Sequence, residues 1–125
     1  MAQKIDLLKK FCTPIWIVHL EEPEGLNQEL LAYVYRLREQ DPVGRQRSNM
    51  LGWHSQNIDI EESKPHLKFF NKIAPCLQQV SEDLNWDRKN YGYKITSTWA
   101  IINQKYACNQ SHIHSNNLIS AAYYV

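Results

Sequence analysis

Two histidines two residues apart, His112 and His114, sit in the polar run Asn109-Gln-Ser-His-Ile-His-Ser-Asn-Asn117. In an extended segment, side chains at i and i+2 share a side, so both imidazoles can chelate one ion, and neutral imidazole is the commonest metal ligand. Two loop histidines are more often plain polar surface, and H-x-H by itself is a weak signal. A non-haem iron centre needs a third protein ligand and open positions for substrate, and no His, Cys, Asp or Glu follows His114. His54, inside Gly52-Trp-His-Ser-Gln56, is the next candidate, as a ligand or general base. Its alternative is a loop histidine bonded to local backbone. His19 and His66 fall at a strand end and a helix start and read as structural or solvated. Arg45, Arg47 and Arg88 carry the forked donors that grip carboxylate or phosphate, with solvated charge as the plain alternative. Trp16, Trp99, Tyr123 and Tyr124 lie in strand-like runs, where core packing is the expected role. No G-x-S-x-G, P-loop, G-x-G-x-x-G or H-E-x-x-H motif occurs, which removes the familiar hydrolase, nucleotide-binding and metalloprotease signatures.

The elements that position these residues are bounded by size. The chain has 125 residues, enough for one core, so 1–125 reads as a single domain. With 43% hydrophobic residues, 22% charged, 4 Gly and 5 Pro, the composition is that of a folded protein and excludes disorder or a collagen-like repeat. Lys and Arg number 14 against 13 Asp and Glu, and a net charge of +1 offers no basic surface for nucleic acid or anionic lipid. The N-terminal apolar run, Phe11 to Leu20, is broken by Pro14 and His19 and has no small-residue cleavage site behind it, so no signal peptide is expected. No stretch approaches the ~20 apolar residues of a membrane span, and the expected location is the cytoplasm. Cys12, Cys76 and Cys108 are far apart, odd in number and without C-x-x-C spacing. They read as buried free thiols.

Phe11 to Leu20 is rich in β-branched and aromatic residues and reads as a strand. Leu26, Leu30, Val34 and Leu37 recur at helical steps before Asp41-Pro-Val-Gly44, which predicts an amphipathic helix that ends there. Residues 45–56 have no sustained period and read as an ordered loop with short extended pieces. Ser63 can cap a second helix with Pro65 in its first turn, and Leu67, Phe70, Ala74, Leu77 and Leu84 keep helical spacing. Pro75 is expected to kink or split it. Lys94 to Gln104 alternates as a strand, and Leu118 to Val125 is strand-like again. Helices first and sheet-rich sequence last predict an α+β fold, with helices on one face of an antiparallel sheet. The chain stops at Val125 inside this last run, which suggests a truncated reading frame.

Four segments, in order, carry a resemblance. They are Phe11-Cys-Thr-Pro-Ile-Trp16, Arg47-Ser-Asn-Met-Leu-Gly-Trp-His-Ser55, Trp99-Ala-Ile-Ile-Asn103, and His112-Ile-His114 followed by Leu118-Ile-Ser-Ala-Ala-Tyr-Tyr-Val125. They resemble the N-terminal strand, the Ser-Asn-x-x-Gly-Trp-x-Ser loop, the Trp-x-Asn strand and the H-x-H and Ser-Gly-x-Tyr-Tyr-Val segments of the 2-oxoglutarate and iron(II)-dependent oxygenases of marine bacteria and their phages. The resemblance spans nearly the whole chain. It implies a double-stranded β-helix, the cupin-like jelly roll, preceded by buttressing helices and present here as its N-terminal portion. It implies Fe(II) bound by His112 and His114, where the wider superfamily has H-x-Asp or H-x-Glu, and 2-oxoglutarate chelating the metal as co-substrate. It implies hydroxylation of a second substrate coupled to decarboxylation of 2-oxoglutarate, with Asn103 and Tyr124 lining the pocket near metal and co-substrate.

Three features depart from that pattern. The distal histidine and the arginine that anchors 2-oxoglutarate belong to later strands, Ala121 stands where the family has Gly, and Ser115 stands where Pro is usual. A partial β-helix leaves a sheet edge and an apolar face unpaired, which predicts a homodimer through the C-terminal strand. The rival reading is a non-catalytic cupin-like or fragment protein that self-associates through its exposed sheet. A third has H-x-H completed by a ligand from another chain.

Overall fold

The first helix, α1, spans Glu24–Gln40 and buries Leu26 and Leu30, in a computed structural model that describes residues 12–87, 89–90 and 92–125. Its apolar stripe packs on the second helix, α2, Lys64–Asp83, which buries His66, Val80 and Ser81. Both helices fall where the spacing of apolar residues puts them. Pro75 lies inside α2 without splitting it. Pro75 and Asn71, whose carbonyl loses its helical donor there, are both exposed. Ser63 takes the N-cap position, but its side chain caps no backbone N–H. It is fully buried and bonds His66 Nδ1 at 2.8 Å instead.

Four short strands make two antiparallel two-stranded sheets. β1 (Asn49–Met50) pairs with β4 (Cys108–Asn109), and β2 (Trp53–His54) pairs with β3 (Ile101–Ile102). The two ladders are parts of one ribbon. Gln110 N–H donates to the Ser48 carbonyl at 2.7 Å, Ser55 N–H to the Ala100 carbonyl at 2.9 Å and Ile58 N–H to the Thr98 carbonyl at 2.8 Å. Segment 48–58 therefore runs antiparallel to 98–110, interrupted where Leu51 and Gly52 face the longer excursion 103–107. Leu51 and Tyr106 both take left-handed backbone there, with φ 59° and 71°. Gly52 permits the close approach, because a Cβ on it would run into the Asn103 side chain and lie 3.2 Å from the Ile102 carbonyl oxygen.

The architecture is α+β, two helices and two small sheets, and the described residues form no closed barrel or jelly roll. Three strand expectations are corrected. Phe11 lies outside the described residues, and 12–20 joins no ladder. Trp16 instead donates its indole N–H to Asp83 at the end of α2, at 2.7 Å. Of 94–104 only Ile101–Ile102 is in a regular ladder. Residues 118–125 have no backbone partner strand among the described residues. That segment is pinned by Tyr123, whose hydroxyl donates to Asn27 Oδ1 on α1 at 2.7 Å and whose ring meets Phe69 of α2 at 4.7 Å. The thiols are corrected too: Cys12 and Cys108 are exposed and Cys76 is half-buried, all three free. The apolar core is too small to reach them, with Leu26, Leu30, Trp53, Ile58 and Val80 as the buried apolar residues described. No helix among the described residues is long and apolar enough to cross a membrane.

Candidate functional site: a histidine pair beside the ribbon

The loop leading into the ribbon is held by single polar contacts. Asp41 accepts from Gly44 N–H at 3.0 Å and from the Gln56 amide at 3.0 Å. Those donors, Gln56 first, hold its carboxyl below the usual carboxylate range. Its backbone carbonyl accepts the Trp53 indole N–H at 2.8 Å. Asn49, buried, accepts from Arg47 N–H at 2.8 Å and donates to the Gly52 carbonyl at 2.9 Å, closing the tight turn between β1 and β2. Ser55, buried, accepts from Ala100 N–H at 2.9 Å and so joins the two strands through a side chain. Asn49 and Ser55 are the Asn and the last Ser of the Ser-Asn-x-x-Gly-Trp-x-Ser segment, but the sequence reading gave neither of them a structural role. Their signal was their place in that motif, in an otherwise aperiodic polar loop.

On this ribbon an aromatic ladder forms. His54 is buried, with Nδ1 2.6 Å from the Ser55 carbonyl, so that nitrogen carries the proton. This is the local-backbone alternative, realised. Its ring lies parallel to Trp99, with centroids 5.7 Å apart and planes at 12°. Trp99 in turn lies parallel to His114, at 5.4 Å and 8°. His114 then meets His112, with centroids 4.8 Å apart.

The two Nε2 atoms of His112 and His114 face each other at 3.0 Å. His112 Nδ1 lies 2.8 Å from the Gln110 carbonyl. A carbonyl only accepts, so His112 carries its proton on Nδ1 and its Nε2 holds a lone pair. His114 Nε2–H is then the donor between the rings. Backbone anchoring of the remote nitrogen is the arrangement common in metal-binding histidines. Metal–imidazole bonds of about 2.1 Å to two cis positions put the two nitrogens about 3.0 Å apart. The separation of the pair thus matches two adjacent positions of one ion, and a turn of the rings would direct both nitrogens at it. No group of three or more His, Cys, Asp or Glu that could hold a metal occurs among the described residues, so the full two-histidine, one-carboxylate set is not assembled here.

The remaining candidates are dispersed. Asn103 is at the excursion, against Gly52. Tyr124 is 89% exposed, next to Tyr123, which anchors the segment. His19 is exposed and His66 is buried in the helical pair. Arg45 donates from Nη1 to Asn57 at 3.2 Å, Arg47 is exposed, and Arg88 lies outside the described residues. One hollow lies between the helices, lined by Leu26, Glu29, Lys68 and Lys72, and a second beside Val43, Leu51, Trp53 and Ile102. Neither is lined by His112 or His114. No protein-family model, curated protein or solved structure matches the chain.

Proposed function

We propose that this chain is an oxygenase domain of the 2-oxoglutarate and iron(II)-dependent type, a hydroxylase of a second substrate built on part of a double-stranded β-helix. The observation that carries the reading is the 3.0 Å separation of the His112 and His114 Nε2 atoms, with His112 already in the tautomer that a ligand needs. Convergence supports it. Three of the four resembling segments meet at one place: Gly52 against Asn103, His54 against Trp99 and Trp99 against His114. When bound, iron(II) and 2-oxoglutarate supply the oxidising chemistry. This chain's own part is to offer two nitrogens on one side of a turn, with Gln110 holding the first ring. The pocket roles of Asn103 and Tyr124 rest on the resemblance alone.

An anaerobic Fe(II) titration of wild type and His112→Ala, with and without 2-oxoglutarate, tests the reading. Binding that 2-oxoglutarate strengthens and the substitution weakens at least tenfold, about 1.4 kcal/mol, is the expected result. Equal binding by the two proteins overturns it.

A second reading is favoured by a specific surface. Ile113, Leu118 and Tyr124 are 87%, 88% and 89% exposed, and Val125 is exposed beside them. Exposed apolar side chains gathered in one patch mark association surfaces. We propose a homodimer through this C-terminal segment, which would serve a non-catalytic protein as well as an enzyme whose metal site is completed by a second chain. Sedimentation equilibrium at micromolar concentration decides it: a monomeric mass rejects the dimer.

A further inference from the structure

We infer that Trp99 is a positioning residue for the histidine pair, fixing the plane of His114 by stacking while a hydrogen bond fixes His112. The inference rests on the chelate reading above and names what makes the chelate rigid. The two rings are held by different devices. His112 is tied through Nδ1 to the Gln110 carbonyl. For His114, the polar contact described is the one to His112 itself, and its other contact is the face of the indole at 5.4 Å and 8°. The indole is in turn set against His54, which is buried and bonded to the Ser55 carbonyl. Orientation thus passes from a buried ring on the loop segment, through Trp99, to a ring at the edge of the fold.

An imidazole on an exposed turn otherwise spreads over several rotamers, and each unproductive one lowers the fraction of molecules ready to chelate. A bulky apolar side chain in the core would not account for this placement, because Trp99 is half-buried and both its ring partners are histidines. The alternation of 94–104 assigns Trp99 a face of the strand and says nothing of which rings share it.

Co(II) alone is the probe, added to wild type, Trp99→Phe and Trp99→Leu and followed by its visible absorption. In parallel, the imidazole carbon-bound protons of His114 are observed by NMR without metal, where the indole face shifts them upfield. Leu is expected to move the His114 resonances toward those of an unstacked ring and to weaken Co(II) binding roughly three- to tenfold, with Phe recovering part of both. A folded Leu variant with wild-type resonances and wild-type affinity overturns the inference and leaves the chelate reading standing. No Co(II) binding by the wild type overturns both. Should Leu unfold the protein, the wild type decides, since His114 carbon-bound protons at the shifts of an unstacked imidazole reject the stack.

Discussion

The helical pair and the ribbon each bury a histidine, yet they fix it by different means. In the helical pair, His66 is buried by repeated contact along α1 and α2, with Tyr33 edge-on at 5.2 Å and Ser63 bonded to Nδ1. In the ribbon, His54 is held by one backbone carbonyl and one parallel indole, and the rings beyond it reach solvent. The helices average over many interchangeable contacts, whereas the ribbon depends on a few that cannot be exchanged. Chemistry that needs two nitrogens at a set separation belongs on the second kind of scaffold.

Glycine substitutions separate the two regions most sharply. Gly44, at φ 61°, faces the His54 carbonyl and the Trp53 indole nitrogen, the latter 2.7 Å from where a Cβ would sit. Gly44→Ala therefore combines left-handed strain with a backbone clash and is expected to cost about 3 kcal/mol. Gly25, in the first turn of α1, has nothing within 4 Å of its Cβ position. Gly25→Ala is expected to gain up to about 0.5 kcal/mol. Urea unfolding of the two variants measures both, and a Gly44→Ala protein as stable as wild type breaks the comparison.

Acid titration probes the helical side next. Burial pushes the His66 imidazole below its ordinary value of 6.5. Between the folded value and 6.5 the unfolded chain takes up a proton that the folded chain refuses. Stability is therefore full above pH 6.5, declines as pH falls toward the folded value, and is flat again below it as far as this group is concerned. His66→Gln keeps a partner for Ser63 without titrating in this range. Its unfolding free energy should lose less than that of wild type between about pH 7.5 and 5.5. Equal losses would mean that His66 does not report burial of the helical pair.

The same division decided what could be read from the residues alone. Leu26, Leu30 and the apolar positions of α2 repeat every three or four residues, so period alone announces both helices. Of the two outcomes expected at Pro75, a kink or a split, the split is absent, because α2 runs unbroken through it on an exposed face. In the ribbon, of the strand expected over 94–104 only Ile101–Ile102 is in a ladder, and its partner was not legible. Its register is set by Gly52 against Asn103 and Ser55 to Ala100, contacts across about 45 to 50 residues that no local pattern encodes. His112 and His114 were legible because i, i+2 spacing is local. Trp99's link to them was not, because it joins three separate segments.

The smallest effect is expected where the helical pair shows its most conspicuous polar contact. Lys68 Nζ lies 2.6 Å from Glu29 Oε1 across α1 and α2, but the side chains are 59% and 45% exposed. Water screens an ion pair of that exposure, and holding two long side chains in one geometry costs rotamer entropy, so the net contribution is at most about 0.5 kcal/mol. Lys68→Met keeps the aliphatic stem against the helices and deletes the charge. Its urea midpoint should match wild type within error at about 0.15 M salt, with any difference confined to low ionic strength. A loss above about 1 kcal/mol would mean that the helices, like the ribbon, depend on a single contact, and the contrast between the two regions would fall.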